Sequence, residues 1–461
     1  MTNQNWTIEA LKKELNSFSE IKDWRVCKKT TNRKERYFIK GNQENTVEID
    51  QDRNSNIESI NLWVAVHHKN DSSRQGEAGK KVFTTLALRP QIESIIQEAL
   101  LTNLESWSLE KAPPNSVPSY PTSDPKIAED IHKAMDDLTT TVNNLVTSNK
   151  ETTFNSSEVF LSFHNKETHL SNGVAHEESS SEIYAESAFS FAKQNSQGEK
   201  VADEYLSHHW GVHLDDLNLN ELFSQSSARA KNSLDVTKPK TGKYPVIIDA
   251  DVLLMLFNDF IVHLSAGNQY NNLPFLPVGQ DLIKDTKGDL ITLSLDPELP
   301  FGGATTAMSV AGTIQSKLKL VDNNKVVATA TSKQYADYLK TAVTTCNGNA
   351  SVEAGKWTHK ELTQVSPVVL EILQFSGLFT DANTGTFSSE IRLGKLYDNE
   401  NNTVSYIKGG SLSGSLFENF KNARLSNNLV KRNEFSSFPY EHNIGYCGPD
   451  FALLSDVSIV G

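Results

Sequence analysis

Apolar residues near the start of the chain recur with a helical rhythm. Ile8, Leu11, Leu15 and Phe18 fall three to four positions apart, and Thr7 stands where a hydroxyl can cap a first turn, so the spacing predicts a helix over Trp6–Phe18. β-like runs follow at Trp24–Thr30, Arg36–Lys40, Thr46–Ile49 and Ser59–His67, and Lys80–Leu88 reads as another strand. A helix is expected from Pro90 to about Leu104, with proline in its first turn, where a missing N–H costs nothing. Residues 111–125, KAPPNSVPSYPTSDP, hold five prolines and predict an exposed loop. From Pro125 to Thr147 a helical stripe gathers Ile127, Ile131, Ala134, Met135, Leu138 and Val142. Strands resume at Glu158–His164, Glu167–Leu170, Val174–Ser180 and Ile183–Ala192. Turns are expected at Asn165-Lys166 and at Asn172-Gly173, the latter suited to a type I′ hairpin because both residues tolerate positive φ. Asp215–Leu234 reads as a helix carrying Leu217, Leu222, Ala228 and Ala230.

The punctuated stretch Thr237–Pro245 sets a domain boundary. Residues 1–236 form the first domain and 237–461 the second. A strand at Pro245–Asp249 leads into a helix over Asp251–Ser265 that is apolar nearly all round, which predicts burial on every side. Beyond Ile291 the pattern is short strands and Gly/Asn/Asp turns, with short helices near Ser332–Thr341 and Ser415–Phe420. The expected fold class is α+β: two mixed domains, the N-terminal with more helix and the C-terminal strand-rich. No fixed-period repeat is present.

Composition narrows the class without naming a function. With 38% hydrophobic and 22% charged residues, the 461-residue chain is neither disordered nor fibrous. Its 44 Lys+Arg against 57 Asp+Glu give a net charge of −13, which argues against direct nucleic-acid contact. The basic clusters KKTTNRKER (28–36) and Lys238, Lys240 and Lys243 read as solvated loops or edge strands. The longest apolar run, Val252–Phe257, falls far below the roughly 18 residues of a membrane span. No basic segment followed by an apolar one marks a signal peptide. Three cysteines, Cys27, Cys346 and Cys447, cannot build a disulfide framework, so a reducing cytoplasm is expected.

Familiar chemical motifs are missing: there is no phosphate-binding GxxxxGK[ST], no GxGxxG after a strand, no GxSxG, no CxxC and no HExxH. The densest histidine cluster is His208-His209-Trp-Gly-Val-His213. On a helix His209 and His213 would share a face as metal ligands, but Gly211 weakens a helix there and Asp215 and Asp216 suit a helix start. His67 and His68 are adjacent, so in a strand they point to opposite faces. Asn258 and His263 are five apart, about 140° around a helix, and His263 reads as a hydrogen-bonded residue of a buried helix. Pro300-Phe-Gly-Gly-Ala and Lys408-Gly-Gly-Ser-Leu-Ser-Gly read as tight turns and close-packed strands.

The order of several short pieces carries more information than any one of them. Ser171-Asn172-Gly173 looks like an N-S-x-G segment, Gly242-Lys-Tyr-Pro-Val-Ile-Ile like a G-x-Y-P-V strand, and Leu293-Ser-Leu-Asp-Pro-Glu-Leu-Pro like a D-P-x-L-P turn. Phe387-Ser-Ser-Glu-Ile-Arg-Leu-Gly is similar to G-x-F-S-x-x-x-x-G, and Ile407–Leu416 to V-x-x-x-x-I-S-G-N-L. Leu454–Gly461 resembles a closing strand ending in V-x-G. From about residue 150 onward the chain thus resembles the TldD/PmbA family, the modulators of DNA gyrase or metalloprotease-like proteins.

The catalytic branch of that family carries H-E-x-x-x-H on its central helix and a later cysteine, which together hold one zinc, with the glutamate as general base. Laid on this chain, those positions become Asn258, Asp259 and His263, with Cys447 in Gly445-Tyr-Cys-Gly. A catalytic zinc wants three protein ligands plus water, and an amide oxygen substitutes poorly for imidazole. The shorter aspartate would also misplace a general base. The resemblance therefore implies the PmbA/TldE-like branch, with no catalytic residue among the degenerate positions Asn258 and Asp259, and His263 and Cys447 as remnants. It implies no cofactor of its own, zinc in a TldD-like partner subunit (or a homodimer in isolation), and unfolded peptide as substrate. A divergent metallopeptidase active by itself, drawing a ligand from His208–His213, and a peptide-binding protein without a protease partner are the alternatives.

Overall fold

A computed structural model describes residues 6–43, 45–68, 71–111, 117–195, 197–435 and 443–461. Residues 112–116 of the proline-rich stretch lie outside the described residues.

The N-terminal part runs α1 (Ile8–Leu15), β1 (Ile21–Lys40), β2 (Val47–His68), β3 (Asp71–Val82), α2 (Leu88–Ala99), β4 (Leu104–Glu105), α3 (Pro125–Glu129) and α4 (Ile131–Ser148). It continues with β5 (Thr153–Leu170), β6 (Ala175–Gln194), β7 (Lys200–Gly211), a 3-10 turn (Leu214–Asp216) and α5 (Leu219–Asn232). The rest runs β8 (Val236–Thr237), β9 (Gly242–Asp249), α6 (Ala250–His263), α7 (Ala266–Tyr270), β10 (Leu293–Asp296), β11 (Leu318–Asp322), β12 (Lys325–Val326), α8 (Lys333–Leu339), β13 (Asn349–Val352) and α9 (His359–Thr363). The last elements are β14 (Val368–Phe375), β15 (Phe379–Asp381), β16 (Thr386–Asp398), β17 (Thr403–Ile407), β18 (Ser411–Ser415), α10 (Leu416–Asn419), β19 (Arg424–Leu425), β20 (Leu429–Glu434), β21 (Ile444–Pro449) and β22 (Phe451–Val460). The class is α+β, as the sequence pattern implies.

Strands β1–β7 form one seven-stranded sheet in the order β4-β3-β2-β1-β5-β6-β7. Its strands are longer than their apolar runs. Trp24–Thr30 and Arg36–Lys40 are one strand, because the polar stretch between them is paired on both sides, by β2 and by β5. The basic cluster 28–36 is therefore the middle of a central strand, not a loop or an edge. Lys34 and Arg36 are buried there and neutralised: Lys34 pairs with Asp52, and Arg36 reaches Asp52 at 3.0 Å and Asp136 of α4 at 2.9 Å. Asn165-Lys166 is likewise mid-strand, with Asn165 opposite Ser179, whereas Asn172-Gly173 is a true turn with Gly173 at φ +91°.

Helices cover one face of this sheet. Thr7 caps α1 by accepting from Ala10 N–H, and Leu11 and Leu15 pack with α2 over Trp24, Val26, Leu62 and Val64. The helical stripe after Pro125 is broken in two, because Asp130 is extended (φ −156°) and caps α4 with its own carboxylate. Ala134, Met135 and Val142 still face the sheet, as their spacing requires. The helix expected over Pro90–Leu104 starts earlier and ends at Ala99, the strand expected over Lys80–Leu88 stops at Val82, and the helix expected over Asp215–Leu234 is a 3-10 turn followed by α5.

The remaining strands build a six-stranded sheet, β12-β11-β10-β13-β21-β20, and a nine-stranded one with the path β14-β9-β22-β18-β16-β17-β8, to which β15 and β19 attach. Helix α6 lies between them, which is why its apolar residues run all round. Leu253, Leu254, Leu256, Phe257 and Phe260 share one core with Val246, Leu412 and Leu454 of the nine-stranded sheet and with Leu293, Leu320, Ala350 and Tyr446 of the six-stranded one. Each such side chain contributes about 1.5–3 kcal/mol of burial. The two parts meet on the face of the seven-stranded sheet opposite its helices, where Trp107, Leu170 and Val174 pack on Met308 and Ala311, and again at β7, where Leu393 joins the helix-side core and the Tyr205 hydroxyl donates to the Arg392 carbonyl at 2.8 Å. Among the described residues no helix is long and apolar enough to cross a membrane.

Candidate functional site

Strand β9 runs into α6 through Asp249, whose carboxylate caps the helix by accepting from Val252 N–H at 3.2 Å. That helix carries Asn258, Asp259 and His263. Asp259 and His263 are one turn apart and share a face, while Asn258 lies about 100° from Asp259. The Asn258 amide is spent on its own helix, donating to the Leu254 carbonyl at 2.7 Å.

Asp259 and His263 face the segment Thr380–Ala382 at the end of β15. Asp259 Oδ2 is buried and has no hydrogen-bond partner among the described residues; burial pushes the carboxyl up to about 6, Thr380 draws it back, and Asp381 adds to the rise. His263 is 2% exposed, its Nε2 is equally unpartnered, and its ring meets Phe417 edge-on at 4.9 Å. Burial drives the imidazole pKa down, opposed by the carbonyls of Pro274 and Ala382 and by Asp381. The hydrogen-bonded histidine expected at 263 thus has a ring nitrogen left bare. Thr380 and Asp381, which complete this corner, escape a sequence reading because β15 is only three residues long and nothing in its composition marks it.

Cys447 is not brought to this corner. It sits in β21 beside Tyr446, and successive strand residues point to opposite faces. Tyr446 stacks on Phe257 of α6 at 5.9 Å, and its cross-strand neighbour Arg432 pairs with Asp251 of α6 at 3.0 Å. Cys447 accordingly faces away from α6, toward Asp296, Lys317 and Lys431. Burial raises its thiol pKa, against the pull of Lys317, so it rests as a protonated thiol, the poorly ligating form. Among the described residues no three His, Cys, Asp or Glu side chains converge to hold a metal ion.

The histidine cluster is dispersed as well. His208 and His209 lie in β7, not on a helix, and point to opposite faces. His209 is pushed toward its neutral form by burial and by Arg432, with Asp251 opposing. His213 caps the 3-10 turn, accepting from Asp215 N–H at 3.2 Å, and packs on Phe301 at 4.6 Å. His68 is held on the Thr102 carbonyl at 2.9 Å. The glycine-rich pieces are close-packed as expected: Gly410 has φ +78°, and a Cβ there would strike the Val460 carbonyl.

Most of the ordered sequence pieces converge on the nine-stranded sheet. Lys243, Ser458, Ser413, Ser388 and Phe379 form one cross-strand row over β9, β22, β18, β16 and β15. This row floors a cleft of about 560 Å³ that Thr380 and Asp381 also line. The cleft thus adjoins the Asp259–His263 corner.

Three comparisons bear on this arrangement. The sequence profile of the PmbA/TldA metallopeptidase C-terminal domain matches residues 241–458. No curated protein matches the chain in sequence. The structure is similar to that of TldE from Thermococcus kodakarensis, with a TM-score of 0.75 at 14% identity over 98% of this chain and 100% of that one. It is also similar to two candidate modulators of DNA gyrase. For that of Bacteroides thetaiotaomicron the TM-score is 0.72 at 14% identity, over 98% of this chain and 99% of that one. For that of Thermotoga maritima it is 0.73 at 16% identity, over 99% and 100%. The matched domain holds α6 and most of its two sheets, so residues 241–458 carry a PmbA/TldA metallopeptidase C-terminal domain, within a fold shared with these three structures over nearly the whole length.

Proposed function

We propose that this chain is a PmbA/TldE-like subunit that pairs with a TldD-like zinc metallopeptidase in the degradation or maturation of peptides. The observation that carries this reading is the donor set around α6. A catalytic zinc needs three protein ligands and an open position for water. Here one position is an amide already bonded to Leu254, another is an aspartate in place of the glutamate, and the thiol of Cys447 lies on the far side of β21. His263 alone keeps an imidazole at the corner. These residues do not fit a zinc ion, so no hydrolytic step is assigned to them. The likeness to TldE supports the same branch. Three unpaired cysteines accord with a cytoplasmic location.

The test is reconstitution. The chain alone is expected to leave an unfolded peptide intact, and co-expression with an HExxxH-bearing family member is expected to give a complex that cleaves it and loses activity on chelation. Cleavage by the isolated chain, abolished by substituting His263, would establish the divergent-peptidase alternative instead.

A further inference from the structure

The face of the seven-stranded sheet opposite its helices carries two adjacent cross-strand rows. One runs Arg53, Glu35, Phe160, Tyr184, Trp210 through β2, β1, β5, β6 and β7. The next runs Gln51, Tyr37, Glu158, Glu186, His208 through the same strands. In-register residues share a face, so these rows make a floor of rings and carboxylates. The rings are continuous: Tyr37–Phe160 and Phe160–Tyr184 lie 5.3 Å apart and Tyr184–Trp210 4.6 Å.

One half of this floor already shows what it binds. Arg33 lies over Phe160 at 5.0 Å with its Nε 2.6 Å from Glu35, and Arg53 lies over Tyr37 at 5.1 Å and 3.9 Å from Glu35. Each guanidinium thus sits between a ring face and a carboxylate, where both attract it. The other half has the same parts without the cation. Glu158 and Glu186 stand directly opposite each other on β5 and β6, and neither makes an ion pair among the described residues. Like charges so placed repel. Among the described residues the Glu186 carboxylate accepts the Tyr184 hydroxyl, at 2.6 Å, and His208, opposite Glu186, packs toward Tyr184 at 6.0 Å without pairing with the carboxylate. Burial, then Glu186 and Glu35, raise the Glu158 carboxyl above its ordinary value.

We propose that the Glu158–Glu186–Tyr184–Trp210 half of this face binds an arginine or lysine side chain of an extended basic peptide, as Phe160 and Glu35 hold Arg33. The inference rests on the peptide-handling reading above and names the class of peptide it favours. Its three strands, β5, β6 and β7, about 4.8 Å apart, make a floor roughly 10 Å wide, enough for two alternate side chains of an extended peptide, about 7 Å apart.

Isothermal titration of the full chain with acetylated, amidated Gly-Arg-Gly-Arg-Gly, and with its citrulline counterpart, tests this. The arginine peptide is expected to bind saturably and more weakly as salt rises, with the citrulline peptide at least about tenfold weaker. The double variant Glu158→Gln, Glu186→Gln should lose at least about tenfold in affinity, and it removes a repulsion, so its thermal midpoint should not fall. Equal affinity for the two peptides, absent binding, or undiminished binding by the double variant would overturn the inference. If the double variant does not fold, the comparison of the two peptides on the unaltered chain decides alone. Failure of peptide binding with intact pairing to an HExxxH-bearing subunit defeats this inference and leaves the subunit reading standing.

Discussion

Tyr446 lies nearly parallel to Phe257 of α6, ring centroids 5.9 Å apart and planes 21° from parallel, and this contact fixes where Cys447 points. A strand cannot present two successive side chains to one neighbour, so the thiol faces Asp296, Lys317 and Lys431. Restoring the family's histidine and glutamate should therefore not restore a metal site. The variant Asn258→His, Asp259→Glu, purified with added zinc, is expected to hold no more zinc by elemental analysis than the unaltered chain. Stoichiometric zinc in that variant would show that the strand can turn its thiol inward.

Asp259 should act as a pH-dependent weak point. Its carboxyl is raised from 3.8 to about 6 in the fold, so the folded state holds the proton more tightly than the unfolded one. Stability then declines as pH rises from 3.8 through about 6 and is flat above that. Asp259→Asn should gain about 1 kcal/mol at neutral pH, after allowance for partial exposure to solvent, and nothing near pH 4. Urea unfolding at the two pH values checks this, and an equal gain at both would contradict it.

Glu371 is the opposite case. Burial would raise its carboxyl, but His359 at 3.0 Å, Tyr397 at 2.5 Å and Lys395 at 3.3 Å overcome it and hold it at about 2. Its contribution is present above the ordinary value of 4.5 and is lost as pH falls through about 2. Glu371→Gln should cost roughly 2–4 kcal/mol at neutral pH, because Lys395 loses its buried partner. The difference from the unaltered chain should shrink steadily in acid, which chemical denaturation across that range measures.

Phe257 anchors α6 between its two sheets, touching Phe260, Phe420 and Tyr446. Phe257→Ala should cost about 3–5 kcal/mol by cavity formation. A loss below about 1 kcal/mol in guanidinium unfolding would mean that the sheets close over the gap.

Where local chemistry decides, the sequence was readable: the Thr7 cap, the Asn172-Gly173 turn and the all-round apolar α6 stand where their residues imply. It was unreadable where pairing decides. Thr31–Glu35 is strand because β2 and β5 flank it, and its cations are tolerated because Asp52 and Asp136 arrive from other elements. Likewise α6 shows in its own residues which ligands are missing, but the direction of Cys447 depends on the register of β21 against β13 and β20. Thr380 and Asp381 reach Asp259 only through the fold.

Zinc stoichiometry in a co-purified pair tests the subunit reading most directly. The chain and an HExxxH-bearing family member, co-expressed, separated by size exclusion and measured by elemental analysis, should run as one complex with a single zinc per pair, and the chain purified alone should carry none. One zinc per chain in the isolated protein, or failure of the two chains to associate, would contradict the account.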